Sequence, residues 1–227
     1  MNQSIDLLWG GWQALFSVSL LIGALNALVG LATALSFEDL VDASAETGSV
    51  PVSDALVAMA VGVGVFAVSL VLVSVLIVMV STATRGDQPN VADAAASVIG
   101  RGGVIAGSIL VSTMLVFVGL LLFIVPGVWL IVTLMPLLAV VIDGDDGVVG
   151  SIRSTFNLVH GRWLSVFGIV LIIGAINIGL GIAGTVPGAV GFFLSILANA
   201  ISSMVVATAI WFTYTELRRQ RDWHGVV

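Results

Sequence analysis

The sequence predicts an all-α, polytopic membrane bundle of six transmembrane helices, built as three pseudo-repeats of a surface helix plus a helical hairpin. Three observations carry this. Hydrophobic residues fill 59% of the 227 positions and charged residues only 9%, a balance that ordinary soluble domains do not keep. Charges are excluded from four runs, residues 7–37, 55–84, 102–142 and 163–215, which are 31, 30, 41 and 53 residues long. The seven basic residues, all arginine, fall in three short stretches between or after those runs. A helix rises about 1.5 Å per residue and needs roughly 20 apolar residues to cross a hydrocarbon core of about 30 Å. The first two runs therefore hold one span each and the last two hold two.

The spans are expected at about 14–35, 55–80, 103–125, 127–142, 164–186 and 188–213. At the end of the first, Ala32-Thr33-Ala34 has the look of a signal-peptide cleavage site, but Asp6 and no positive charge precede the run. The run is also about twice the usual length of a signal core, so it reads as a retained span. Pro126-Gly127 and Pro187-Gly188 divide the two long runs, because proline cannot continue the hydrogen-bond ladder and glycine permits a reversal. The fourth span is short and contains Pro136, so a tilted, kinked or partly re-entrant helix is an alternative there. The short loops leave no room for a separate soluble domain, and residues 1–227 read as one membrane domain.

Six spans put the segments around Arg85 and Arg101, around Arg153 and Arg162, and around Arg218, Arg219 and Arg221 on one side. The loop from Ser36 to Asp54, with Glu38, Asp39, Asp42 and Glu46, falls on the other. The positive-inside rule makes the arginine side cytoplasmic, with both termini inside a cell membrane. Trp9, Trp12, Trp163, Trp211 and Tyr214 then lie near the cytoplasmic interface and Trp129 near the opposite one, as amphipathic rings prefer. The net charge of −6 and the acidic loops argue against nucleic acid. Acidic loops with arginine in place of lysine fit a salt-loving organism such as a halophilic archaeon.

A shift of 151 residues lays Leu21-Ile22-Gly23-Ala24-Leu25-Asn26 over Ile172-Ile173-Gly174-Ala175-Ile176-Asn177. Gly10, Trp12, Phe16 and Gly30 then fall on Gly161, Trp163, Phe167 and Gly181. A third copy fits between them. There Asn90 is a candidate N-cap, with Asp93 three positions on, for a short amphipathic helix leading into the third span. In the last copy Val149, Ile152, Phe156 and Val159 form an apolar stripe opposite Arg153, Thr155 and Asn157, and this predicts a helix lying in the membrane surface. Ile5, Leu8, Trp9 and Trp12 make a comparable stripe at the start. All three units enter from the cytoplasmic side, so the repeats are parallel rather than inverted.

The stretch Ile124-Val-Pro126-Gly127-Val-Trp129-Leu, then Leu137 to Val141, Asp143-Gly144, Ser151-Ile-Arg153-Ser154 and Gly161-Arg162-Trp163 resembles a known family. It is similar to the membrane domain attached to some bacterial glycerophosphoryl diester phosphodiesterases, and to that domain's stand-alone six-span relatives of unknown function. The resemblance covers about 40 residues closely and the remainder only by span pattern. It implies a fold more than an activity, because the phosphodiesterase barrel with its metal-binding acids and histidines is absent from this sequence.

Candidate functional residues are few. Asn26 and Asn177, matched by the repeat, and Asn199 in the sixth helix lie mid-span. Each amide must find partners, either across helices or in a hydrated cavity. Arg153 and Arg162 are the candidates for anionic lipid head groups, with topology-setting charge as their plainer role. No span carries a carboxylate, lysine, arginine or histidine, which counts against a proton-coupled pump. Asp143-Gly-Asp145-Asp146-Gly147 lacks the further ligands and terminal glutamate of a calcium loop and reads as a solvated turn. His160 and His224 have no metal-ligand companion at helical spacing, and the chain has no cysteine. Neither a cofactor nor a metal is expected, and no catalytic residue is assigned. The sequence thus points to a non-enzymatic membrane scaffold or accessory module that contacts lipid head groups, with an unidentified membrane-protein partner. The alternative is a small-solute or lipid transporter with a site between the repeats.

Overall fold

The computed structural model describes the backbone of residues 13–28, 30, 52–183 and 186–224, and side chains in 13–28, 30, 68–182 and 186–221. The described residues are helical, with no strand among them. Two apolar helices come first, α1 (Gln13–Leu28) and α2 (Val52–Thr84). The short α3 (Val91–Gly100) leads at Arg101 into α4 (Gly102–Leu122). Next come α5 (Ile124–Leu134), α6 (Leu137–Asp143) and α7 (Val148–Val159), then α8 (Trp163–Ala183) and α9 (Gly188–His224). Four segments are long and apolar enough to cross a membrane: Gly102–Leu122, Ile124–Asp143, Trp163–Ile182 and Gly188–Arg221.

Sequence chemistry explains most boundaries. The Asn90 side chain accepts a hydrogen bond from the Ala92 N–H at 2.9 Å and caps α3, as its position predicts. Gly188 has φ +81° and Gly161 φ +82°, a left-handed conformation that glycine adopts freely, and each stands at the reversal into a long helix. The α4–α5 reversal comes earlier than expected. The break is at Phe123, with φ −161° and ψ 146°, and Pro126-Gly127 lies inside α5. Proline is tolerated in a first helical turn, whose N–H groups have no intrahelical acceptor anyway. Pro136 does interrupt the segment expected as the fourth span, separating α5 from α6. Helix α9 runs past the expected 213 through the arginines to His224. Among those residues Arg219 bonds Glu216 at 3.0 Å one turn back, and neither glycine nor proline stops the helix.

The core joins Val18 and Ile22 of α1, Leu76, Ile77 and Met79 of α2, Val132, Val141 and Val166, and the C-terminal half of α9. In lipid such contacts stabilise by close packing rather than by exclusion of water, so small residues matter. A Cβ on Gly23 would run into the Ile196 carbonyl and approach the Ala200 nitrogen to 3.0 Å, so α1 and α9 cross backbone to backbone. A Cβ on Gly119 would reach the Gly127 Cα at 3.1 Å, which closes the α4–α5 hairpin equally tightly. Leu110, Met114, Phe117 and Leu121 are all at least 60% exposed and recur every three or four residues, an outward apolar stripe on α4 suited to lipid.

Helix α7 departs from expectation in part. It packs along α4, α5 and α6, and Ile152, Phe156 and Val159 of the stripe lie on the core, but Val149 is 77% exposed and Ser151 and Thr155 are buried. Thr155, expected on the outer polar face, is completely buried because its hydroxyl donates to the Ser151 carbonyl at 2.7 Å and needs no water. Trp129 is likewise not across the membrane from Trp163: the Trp163 indole Nε1 donates to the Trp129 carbonyl at 3.3 Å, and Phe156 lies 5.6 Å from the Trp129 ring. The break at Pro136 and the fold-back of α7 bring the two tryptophans into one cluster. The N-terminal stripe with Trp9 and Trp12, the tip of the first expected span and the acidic loop from Ser36 to Glu46 lie outside the described residues.

Candidate functional site

Two polar assemblies interrupt the apolar helices. The first is made of the mid-span asparagines. The Asn26 Nδ2 donates to the Ile22 carbonyl four residues back at 3.0 Å, and its Oδ1 accepts from the Ser69 hydroxyl of α2 at 3.1 Å. Asn177 repeats the arrangement: Nδ2 donates to the Ile173 carbonyl at 2.9 Å and Oδ1 accepts from the Ser202 hydroxyl of α9. Each asparagine thus ties its helix to the next by a serine. Such a bond is worth about 0.6 kcal/mol on average in a membrane interior. Asn199 donates to the Ser195 carbonyl at 2.8 Å within α9.

Asn177 and Asn199 border one cleft of about 290 Å³ between α8 and α9, with Ser195 and Ser202 completing its polar wall and Leu180 and Gly181 its apolar one. Asn26 is not part of it. Two of the three expected amides are therefore brought together and the third is used in a separate hairpin.

The second assembly lies where the arginine-bearing ends meet. Asp143, the last residue of α6, holds Arg85 Nη2 at 2.8 Å on Oδ1, while the Tyr214 hydroxyl at 2.8 Å and Arg218 both donate to Oδ2. Arg218 also donates to the Tyr214 oxygen at 2.8 Å. The Asp143 side chain is 15% exposed, whereas those of Arg85 and Arg218 are 60% and 49% exposed, so the carboxylate is held inside a shell of half-solvated cations. Arg85 stands 5.9 Å over the Trp211 ring, whose indole N–H donates to Thr84 at 3.0 Å. Arg101 donates to the Val141 carbonyl at 3.1 Å, to the Gly144 carbonyl and to Asp145 at 2.8 Å, closing the C-terminal end of α6. Asp146 accepts from the Ser154 hydroxyl of α7 at 3.1 Å.

The three acids of the loop read as a solvated turn are therefore each engaged, Asp145 by Arg101 and Asp146 by Ser154, and Asp143, with three partners, is the hub of the arginine end. Reading along the sequence passes over this hub because its partners lie 58, 71 and 75 residues away. One local signal existed. A carboxylate in the last turn of a helix, at the edge of a charge-free run, opposes the helix dipole and requires cations. Of the expected head-group residues, Arg153 is exposed on α7 and Arg162 is half-buried, donating to the Leu217 carbonyl at 3.4 Å. No group of three or more metal-ligating side chains occurs among the described residues.

No protein-family model, curated protein or solved structure matches this chain.

Proposed function

We propose that this chain is a six-span protein of the cell membrane, with both termini cytoplasmic, that serves as a non-enzymatic scaffold or accessory module and contacts anionic lipid head groups through Arg153 and Arg162. The observation that carries the reading is the meeting of the arginine-bearing ends. Arg85 at the end of α2 and Arg218 near the end of α9 share Asp143 at the end of α6. Arg101 before α4 bonds the same loop, and Arg162 before α8 bonds α9 beside Arg218. Six alternating spans require just this: the second, fourth and sixth end where the third and fifth begin.

The repeat is supported by the matching asparagine–serine ties in α1–α2 and α8–α9, and by the Asn90-capped α3 before α4. The residues behind the resemblance to the phosphodiesterase-associated membrane domain have architectural work here. Gly161 supplies a left-handed reversal and Trp163 ties α8 to α5. These roles fit a shared fold without an inherited activity.

Retained lipid tests the head-group reading directly. Native mass spectrometry of the protein from mild detergent is expected to find phosphatidylglycerol held in preference to phosphatidylcholine, with the preference reduced in the Arg153→Gln/Arg162→Gln double variant. Equal retention of the two lipids by the wild type would overturn it. The absence of native cysteine allows a clean topology test: Gly147→Cys should label only from the cytoplasm and Val186→Cys only from outside.

A second reading, passage of a small polar solute, is favoured by the cleft that Asn177 and Asn199 share. It requires solute flux in reconstituted vesicles that Asn177→Leu and Asn199→Leu abolish. Wild-type flux equal to that of empty vesicles would end it.

A further inference from the structure

A cavity of about 310 Å³ opens at the arginine end between α2, the α3–α4 junction and α6. Its volume stands at the low end of small-ligand sites. The lining divides by chemistry. Val98 and Ile105 are buried and form its apolar floor with Val78 and Ile142, Arg85 and Ser97 are exposed at its mouth, and Arg101, Ser81 and Thr82 add polar groups to the wall.

We propose that this cavity binds a phosphate-bearing amphiphile, its anionic phosphate held between Arg85 and Arg101 and its apolar stem on the floor. A guanidinium has five N–H donors in a planar fork suited to oxyanions. Among the described residues Arg85 uses one nitrogen on Asp143, and Arg101 uses two on Asp145 and on the carbonyls of Val141 and Gly144. Both keep donors for a ligand, and the bonds already made hold the two guanidiniums in place.

The one carboxylate in the wall does not repel an anion as a bare charge would. Asp143 is taken on both oxygens, by Arg85 on one and by Arg218 and Tyr214 on the other. Asp145, which pairs with Arg101, has a side chain 96% exposed and is screened by water. Among the lining residues two arginines stand against one carboxylate, which leaves the wall positive. The Ser81, Thr82 and Ser97 hydroxyls now donate to carbonyls of their own helices at 2.7, 2.9 and 2.9 Å, and a hydroxyl can rotate to donate to a phosphate oxygen instead.

This site is separate from the head-group contacts assigned to Arg153 and Arg162, and either can fail without the other. The test is binding to the full chain in neutral detergent, with three probes: short-chain phosphatidylglycerol, inorganic phosphate, and short-chain diacylglycerol lacking the phosphate. Phosphatidylglycerol is expected to bind, with Arg85→Gln and Ser97→Asp each weakening it about tenfold or more. Ser97→Asp removes no bond to another helix and sets a negative charge at the mouth, so a folded variant that has lost binding identifies charge as the cause. Binding of inorganic phosphate as strong as that of the lipid, and weakened by the same variants, would make the free anion the ligand and leave the amphiphilic stem overturned. Diacylglycerol binding equal to that of the phospholipid, or unchanged phosphatidylglycerol binding in both variants, would overturn the site. The Arg153→Gln/Arg162→Gln protein is expected to bind phosphatidylglycerol here as the wild type does.

Discussion

Asp143 should be the most costly single charge to remove from the arginine end, and the structure sets the size of the loss. Asp143→Ala deprives the buried Tyr214 hydroxyl of a charged acceptor, a bond worth about 1.5–3 kcal/mol. It also breaks two ion pairs whose guanidiniums are about half exposed, each worth at most about 1 kcal/mol in that setting. The sum is about 1.5–5 kcal/mol. Asp143→Asn keeps an acceptor for the tyrosine and should cost about half as much. Arg85→Gln leaves Asp143 with Arg218 and Tyr214 and should cost less than about 1 kcal/mol, a loss that shrinks as added salt screens the exposed pair. Reversible unfolding in mixed micelles of rising SDS fraction, followed by tryptophan fluorescence, measures all three. An Asp143→Ala protein within about 0.5 kcal/mol of wild type, or an Arg85→Gln protein less stable than Asp143→Ala, would refute the hub.

The same assay checks three further expectations. Gly23→Leu forces a side chain into the α9 backbone and should cost about 1–3 kcal/mol, whereas Gly174, which a shift of 151 residues lays over it and which has nothing within 4 Å of an added Cβ, should accept leucine at little cost. Asn26→Leu and Asn177→Leu should each cost roughly 0.6 kcal/mol, and unequal losses would count against equivalent hairpin ties. Ser108 is fully buried with no hydrogen-bond partner for its hydroxyl among the described residues, so Ser108→Ala should be neutral or stabilising by about 1 kcal/mol. Destabilisation beyond that would mean the hydroxyl is bonded after all.

The helices were legible where one chemical rule governs an end. Charge limits the apolar runs, Asn90 caps α3, and Gly188 with its positive φ makes the last reversal. The α4–α5 turn was misplaced by three residues because the proline rule is asymmetric: Pro126 breaks a ladder mid-helix but fits a first turn. The packed side of α7 is wider than its apolar stripe, since Ser151 and Thr155 are buried beside Ile152, Phe156 and Val159. In water an apolar stripe seeks the core, but beside lipid the protein side can also take small polar residues whose hydroxyls find nearby carbonyls, Thr155 on Ser151 within α7 and Ser151 on Asp146 in the loop before it. Of the site, sequence pointed to Asn177 and Asn199 as mid-span amides, and the cleft joins them. It could not point to Asp143 as a hub, because nothing in the five residues around it specifies Arg85, Tyr214 or Arg218.

The arginines carry more than their charge, and this bears on why the chain has no lysine. Topology needs only positive charge, which either residue supplies. The bonds at the arginine end need the guanidinium. Arg101 spreads over two carbonyls and a carboxylate, Arg162 reaches a carbonyl of α9, and Arg218 engages both Asp143 and Tyr214. A lysine offers three donors from one point and cannot span such partners together. Arg101→Lys should therefore leave the labelling pattern of Gly147→Cys and Val186→Cys unchanged while losing bonds at the end of α6, at about 1–2 kcal/mol. If Arg101→Lys instead unfolds with the wild type, the fork is dispensable. The all-arginine usage would then reflect the composition of the chain and not the architecture of its arginine-bearing end.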